Sequence, residues 1–444
     1  MKRLSFGKKL SSFQIIIIGF LAVIFIGAFL LSLPVSAKAG RWSSFSDALF
    51  TSASAVCVTG LVVRDTAVYW SAFGQAVILV LIQIGGLGII TVAAFIATIS
   101  GRKISLLERN MLQESIAAHQ VGGIVRMTWF IFKVAFAAEL IGAVIMLPAF
   151  YGSFGVSGIW MSIFHSVSAF CNAGFDIMGS RTGEFSSLTF FKGSLWVVIP
   201  VCLLIIIGGI GFLTWDDFAA NKFRFKRYRM QTKAILTVTA GLILIPAVIF
   251  FFTDFSGYEI KERICLSVFQ AITPRTAGFN TAEIGSMASA SRAILIVLML
   301  IGGAPGSTAG GIKTTTFAVL AATTTAVIRR RKSPQLFSRR IEEQAVKSAA
   351  ALLIMYLFLM FAAACIISII DDLPFSLCIF ETSSAIGTVG LTLGITTSVG
   401  TVSRLILIAL MFFGRVGGLT LMHAAINSNG MEVAQRPIEK INVG

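Results

Sequence analysis

Four short glycine-bearing segments recur along this chain, and they leave it few ways to fold. They read Val58-Thr59-Gly60-Leu61, Asn172-Ala173-Gly174-Phe175, Thr276-Ala277-Gly278-Phe279 and Thr388-Val389-Gly390-Leu391. The glycines stand 114, 104 and 112 residues apart. Each segment follows a half-length apolar stretch, near 44–57, 157–171, 262–273 and 374–386, and precedes a longer one. A helix of about 12 residues rises about 18 Å, against a hydrocarbon core about 30 Å thick. Such a stretch enters a membrane without crossing it, so the glycine segment is where the chain turns back. Backbone at that depth is tolerated only where protein buries it or where it lines a wet cavity. Four matched loops predict a pore built from carbonyl oxygens. Four plain re-entrant turns are the alternative.

Composition agrees with a membrane setting. Hydrophobic residues make up 56% of the 444 and charged residues only 13%, about half the usual share of roughly 25%. Apolar candidates lie near 13–34, 73–99, 128–150, 193–215, 232–253, 290–328 (interrupted), 346–370 and 402–425. The first run follows basic residues as in a signal peptide, but is long enough to span and reads as a retained helix. The expected fold is an all-α membrane protein. Eight transmembrane helices form four tandem helix–pore-loop–helix units around a central pore. The units cover 1–100, 101–220, 221–330 (with a broken second helix) and 331–444.

The formal net charge of +16 does not mark a nucleic-acid binder, because its placement follows the spans. Bases cluster at Lys2, Arg3, Lys8 and Lys9, and at Arg102, Lys103 and Arg109. Two larger clusters are Lys222, Arg224, Lys226, Arg227 and Arg229, then Arg329, Arg330, Arg331, Lys332, Arg339 and Arg340. These fall on alternate connections, which the positive-inside rule puts in the cytoplasm together with both termini. Anionic membrane lipid or an acidic partner is their expected use. Six cysteines show no CxxC pairing and the three histidines are scattered (His119, His165, His423), so no disulfide or zinc framework is expected.

The loops carry the expected chemistry. Backbone carbonyls replace the water shell of a potassium ion without adding formal charge, and glycine turns successive carbonyls toward one axis. The expected filter is Val58, Thr59, Gly60, Asn172, Ala173, Gly174, Thr276, Ala277, Gly278, Thr388, Val389 and Gly390. Thr59 and Thr388 are positioned to add hydroxyl oxygens. The middle loops differ from the outer two, which predicts looser selectivity than in a fourfold-symmetric channel. Half-helices descending from outside would point partially negative C-terminal ends at the membrane centre, favouring a cation. Ser44, Ser46, Ser157 and Asp372 with Pro374 are their candidate caps.

A second glycine repeat follows the first: Gly85-Gly86, Gly208-Gly209, Gly302-Gly303 and Gly414-Arg415. Small-residue helix packing is its ordinary reading; a shared ancestral unit explains the offsets better. The third copy opens Gly302-Gly303-Ala304-Pro305-Gly306-Ser307-Thr308-Ala309-Gly310-Gly311-Ile312-Lys313. This composition breaks a helix at mid-membrane and suits a gate beneath the filter. It is not a phosphate-binding loop, since Ile312 displaces Lys313 from the required position. Arg415 interrupts the last span, where a charge is costly. It is expected to bond carbonyls of 304–311 and to add a positive barrier, against a snorkelling or ion-paired structural arginine. Asp65 and Asp176 follow filter loops and read either as cation attractors or as solvated loop carboxylates. Glu381 reads as a helix anchor, and the partner of Glu139 cannot be named. No acid–base pair or metal constellation supports an enzyme.

Together the four loops, the 302–313 stretch and Arg415 resemble the Trk/Ktr/HKT potassium-transporter superfamily over nearly the whole chain, most closely its KtrB/KtrD membrane-subunit branch. The resemblance implies potassium uptake, with potassium as the ion carried and sodium as a stimulant. It also implies a homodimer with one pore per subunit, and a cytoplasmic ring of RCK-type regulatory subunits that bind ATP or ADP. It gives Gly60, Gly174, Gly278 and Gly390 the potassium path and links Gly60 to potassium selectivity. It makes the broken third-unit helix a gate with Arg415 beside it. Pro305 departs from the small residues usual there. An alternating-access sodium/potassium symporter is the rival, because broken helices serve such carriers too.

Overall fold

A computed structural model describes residues 11–102, 104–116, 123–418 and 420–421. The basic residues Lys2, Arg3, Lys8, Lys9 and Lys103, with His119 and His423, lie outside the described residues. Four long apolar helices, α1 (Ser12–Ser32), α6 (Ile124–Phe154), α10 (Met230–Phe252) and α14 (Glu343–Asp371), have the length to cross a membrane. A capping box starts α1: Ser11 Oγ accepts from the Gln14 N–H, and Gln14 Oε1 accepts from the Ser11 N–H.

After each long helix comes a half-helix: α2 (Phe45–Val56), α7 (Ser157–Phe170), α11 (Ile260–Ile272) and α15 (Phe375–Gly387). Hydrophobic length alone placed them near their observed bounds. The expected side-chain caps are absent: Ser44 and Pro374 stand at N-caps without a side-chain bond, and Val156 rather than Ser157 is the N-cap of α7. Small polar residues fill α2, and its buried hydroxyls find backbone partners. Thr51 Oγ1 donates to Asp47 O at 2.8 Å and Ser52 Oγ to Ile24 O of α1 at 2.7 Å. A polar half-helix is thereby buried without orphaned donors.

The outer helix of each unit departs from the straight spans expected near 73–99 and 193–215. In the first unit α3 (Ala72–Leu87) meets α4 (Ile89–Ile99) at a 98° bend, before α5 (Leu106–Ser115). In the second unit α8 (Leu195–Gly209) meets α9 (Phe212–Asn221) at 96°. Gly88 (φ 88°) and Gly211 (φ 90°) stand at the two corners, in conformations an L side chain rarely adopts. The third unit breaks between α12 (Ser289–Leu300) and α13 (Thr314–Ile328), and in the fourth α16 (Thr401–Val416) ends at Gly417, φ 91°. Every outer helix therefore stops at a corresponding depth, not the third alone.

The second glycine repeat sits where these helices touch the half-helix ends. A methyl on Gly85, Gly208 or Gly414 would overlap the carbonyl oxygen of Val56, Phe170 or Ile386 respectively. In the first, second and fourth units the repeat is thus a close-approach device between the outer helix and the carbonyl end of its half-helix, whereas Gly302 lies against Gly310 O of its own segment. On the basic face, a short hairpin pairs β1 (Gln335–Leu336) with β2 (Arg339–Arg340). Phe337 at its tip meets Phe225 edge to face, joining the two large basic connections.

Candidate pore and segment beneath it

The four glycine loops share one backbone signature. Val58, Asn172, Thr276 and Thr388 have φ between 51° and 67°, and the glycine two positions later is again positive, from 66° to 94°. In loops one, two and four the half-helix ends in the same pair of bonds. Val58 N donates to Ala55 O and Thr59 N to Ser54 O, with counterparts at Asn172/Ala173 and Thr388/Val389. The third loop is offset: Ala277 N and Gly278 N both donate to Thr273 O. Left-handed β-branched residues such as Val58 and Thr388 are costly, and hydroxyl pins support the strained turns. Ser54 Oγ accepts from Gly60 N at 3.1 Å, and Ser384 Oγ from Gly390 N at 3.0 Å. Ser168 Oγ donates to Phe175 O at 2.7 Å, and Thr273 Oγ1 to Phe279 O at 2.6 Å. Sequence reasoning missed these pins, although a hydroxyl stands five or six positions before every loop glycine.

The loops close on one another in cyclic order. A methyl on Gly60 would overlap Ala173 O, one on Gly174 would overlap Ala277 O, one on Gly278 Val389 O, and one on Gly390 Thr59 O. Each unit's glycine therefore rests on the carbonyl of the next unit's loop, and the fourth returns to the first. A methyl at any of the four positions overlaps backbone oxygen. Asn172 and Thr276 side chains bond across the second and third loops at 3.3 Å. Among the described residues neither Thr59 Oγ1 nor Thr388 Oγ1, both buried, has a hydrogen-bond partner.

This arrangement, four half-helices delivering four loops into one closed ring, lies within a likeness to known proteins that covers nearly the whole chain. The family model described as TrkH: Cation transport protein matches residues 8–432. The chain belongs to the TrkH family of cation transport proteins. It is 40% identical over 416 residues to the Ktr system potassium uptake protein B of Bacillus subtilis, covering 92% of each chain. It is 37% identical over 449 residues to the potassium/sodium uptake protein NtpJ of Enterococcus hirae, covering 98% of each. The crystal structure of the potassium transporter TrkH from Vibrio parahaemolyticus superposes with a TM-score of 0.73 at 18% identity, over 95% of this chain and 86% of that one. That likeness shows the fold. The family's members identified here are transporters, and this chain is not an enzyme.

In this family member residues 301–313 cross beneath the ring as an irregular strap of backbone. Gly302 N donates to Ile312 O at 2.8 Å and Ile312 N to Leu300 O at 3.2 Å, so the segment folds back on itself. Further backbone bonds go to other units. Ala304 N donates to Gly209 O at 2.8 Å, Phe212 N to Gly306 O (across Pro305) at 2.6 Å, and Gly311 N to Gly414 O at 3.2 Å. Ser307 Oγ turns inward to Ala304 O at 2.6 Å, and Lys313 Nζ donates to Ala309 O at 2.8 Å. Gly303 and Gly310 allow close approach to Gly209 and to the Thr388 side chain.

Arg415 ties the layer together. Its guanidinium donates to Thr308 O, to Gly85 O and, at 2.9 Å, to Gly86 O. Thr308 Oγ1 in turn donates to Phe170 O at 3.1 Å. Two side chains thus connect all four units. Beyond the expected bond from Arg415 to the 304–311 carbonyls, the first unit gives carbonyls of α3 and the second the end of α7. Below this layer a cavity of about 430 Å³ opens between the segment, α1 and Tyr356.

The other singled-out carboxylates are placed as follows. Glu381 accepts from Thr392 Oγ1 at 2.7 Å and from Thr396 Oγ1, holding the chain that leaves the fourth loop. Glu139 accepts from Gln83 Nε2 of α3 at 2.9 Å. Asp65 is not a solvated carboxylate: it is buried, and its Oδ1 caps the turn Thr66–Tyr69 through the N–H groups of Ala67 and Val68. Asp47, which sequence reasoning passed over, pairs with Arg64 at 2.8 Å and with Arg404 of α16 at 2.7 Å. The Asp47 hydrogen bond holds the Arg64 guanidinium above its ordinary pKa. This clamp joins the first unit's half-helix to the fourth unit's outer helix, where the ring closes.

Proposed function

We propose that this protein takes up potassium through the ring of glycine loops, as a channel-like pore controlled from beneath. The observation that carries the reading is the cyclic contact of Gly60, Gly174, Gly278 and Gly390 with the carbonyls of Ala173, Ala277, Val389 and Thr59. A closed circle of backbone oxygens at the carbonyl ends of four half-helices is chemistry for stripping and passing a cation. The names of the relatives, potassium uptake and potassium/sodium uptake, point to the ion. The twelve loop residues from Val58 to Gly390 are the filter. Residues 302–311 with Lys313 and Arg415 are the gate: a backbone segment held across the path by two cations.

The basic connections face the cytoplasm, with both termini on that side. Joined through Phe225 and Phe337, they form the docking face for a cytoplasmic ring of nucleotide-binding RCK-type subunits. Sodium stimulates uptake, and two copies of the chain assemble side by side. ATP and ADP act only through the partner. The test is potassium uptake into a cell lacking its own uptake systems, with Gly60→Ser beside the parent. The parent restores growth at low potassium, whereas Gly60→Ser loses uptake or passes sodium. Growth restored equally by both would refute the filter.

A further inference from the structure

The second unit carries extra chain between its loop and its outer helix. Gly174 is followed by α8 only at Leu195, where the other units run from Gly60 to Ala72, from Gly278 to Ser289 and from Gly390 to Thr401. The surplus lies over the mouth of the ring. Phe185 N donates to Asp65 Oδ2 of the first unit at 2.8 Å. Leu188 N donates to Asn280 O of the third unit at 2.9 Å, and Ser187 Oγ accepts from Asn280 N at 3.1 Å. The segment thus spans from one unit to the unit opposite. Its far end is wedged by Phe191 against Phe150, with ring centroids 4.9 Å apart. Phe185 (φ 59°) and Ser187 (φ 48°) both hold left-handed backbone, a strain the two anchors maintain.

Beneath it lies a cavity of about 60 Å³, lined by all four loop glycines together with Phe185 and Ser187. One water needs only about 10–15 Å³ of such space, so the cavity holds a few waters, and it opens to the outside beside the strap.

We infer that Gly183–Leu188 is a strap that narrows access to the glycine ring, with Phe185 as the residue that sets the width. This rests on the transport reading above. Asp65 and Asn280 are positioning residues: they hold the strap, and both also line the cavity. The strap adds a selection step outside the filter, against ions and molecules too bulky to pass beneath it.

The test uses the full chain in liposomes, with rubidium tracer uptake and tetraethylammonium added on the strap side. The variants are Phe185→Ala and a replacement of Glu184–Ser187 by four glycines. Both should lower KM about two- to tenfold, because the obstruction to entry is gone. Both should also become sensitive to block by tetraethylammonium, to which the parent is indifferent. A loop with only a structural role would not open the mouth to a bulky cation. If both variants transport with the parental KM and stay unblocked, the strap plays no part in access. Absence of uptake by the parent would instead sink the transport reading, and the strap with it.

Discussion

The ring of glycine loops and the segment beneath it are built from the same material, glycine-rich backbone deep in the fold, yet they are held in opposite ways. The ring is held by shape. Four glycines rest on four carbonyls in a closed circle, and each loop is pinned by its own half-helix hydroxyl. The segment 301–313 is held by reach. Its cross-unit ties are single hydrogen bonds, four between backbone groups and two made by the side chains of Arg415 and Thr308. A circle of backbone on backbone has no easy second arrangement, because interlocked packing does not deform continuously. A segment suspended on individual hydrogen bonds, each contributing about 0.5–1.5 kcal/mol, can be released. On the proposed reading, this difference assigns selection to the ring and releasable closure to the segment.

The strongest way to break the comparison is to place a methyl in the ring. Gly174→Ala and Gly278→Ala each overlap a neighbouring loop's carbonyl, and potassium uptake should fall by at least about tenfold through displaced coordination geometry. Uptake within about twofold of the parent would show that the ring is not tight. Next in size is Asp47→Ala, which strands Arg404 and Arg64 where the fourth unit meets the first. One partner is exposed, so the loss of stability should be about 1–3 kcal/mol, read as a lower unfolding midpoint of the purified protein. An unchanged midpoint would mean that the ring closes without the clamp.

Thr308→Val then probes the lower layer. It keeps the shape and removes one bond, to Phe170 O. Flux should rise about two- to tenfold, while the preference for potassium over sodium stays. A flux equal to the parent's would remove Thr308 from the closure. The smallest effect belongs to Ser54→Ala, which takes away one pin on Gly60 N while three loops keep theirs. The potassium-to-sodium flux ratio should drop by about two- to threefold. A larger fall than for the glycine variants would invert the view that shape, rather than pinning, holds the ring.

Much of this architecture can be read from residue order, because it rests on length and on covalent rules. Half-helices are legible because a dozen apolar residues cannot cross a bilayer. The broken third outer helix is legible because Gly302, Gly303, Pro305, Gly306, Gly310 and Gly311 fall in one stretch. The bends at Gly88 and Gly211 are not legible: a glycine inside an apolar run has the same composition whether the helix continues or turns. Asp47 and Arg404 lie at opposite ends of the chain, and nothing in either neighbourhood names the other. The same holds for Glu139 and Gln83, and for the carbonyls of Gly85 and Gly86 that receive Arg415. Backbone acceptors leave no trace in sequence, so reading residues reached the third and fourth units of the lower layer but not the first and second. The hydroxyl pins were visible as a repeat. Serine inside a membrane helix, however, has so many ordinary uses that their spacing gained meaning only beside the loops.

The most direct test of the division between selecting ring and releasable segment is one flux measurement on Arg415→Ala in liposomes without any partner subunit. Rubidium and sodium tracers would be followed in the same preparation. Arg415 touches Thr308, Gly85 and Gly86 but none of the four loop glycines. Rubidium flux should therefore rise several-fold, about the effect of releasing one or two hydrogen bonds, while the rubidium-to-sodium ratio stays at the parental value. Unchanged flux, or a ratio that collapses as flux rises, would contradict the account.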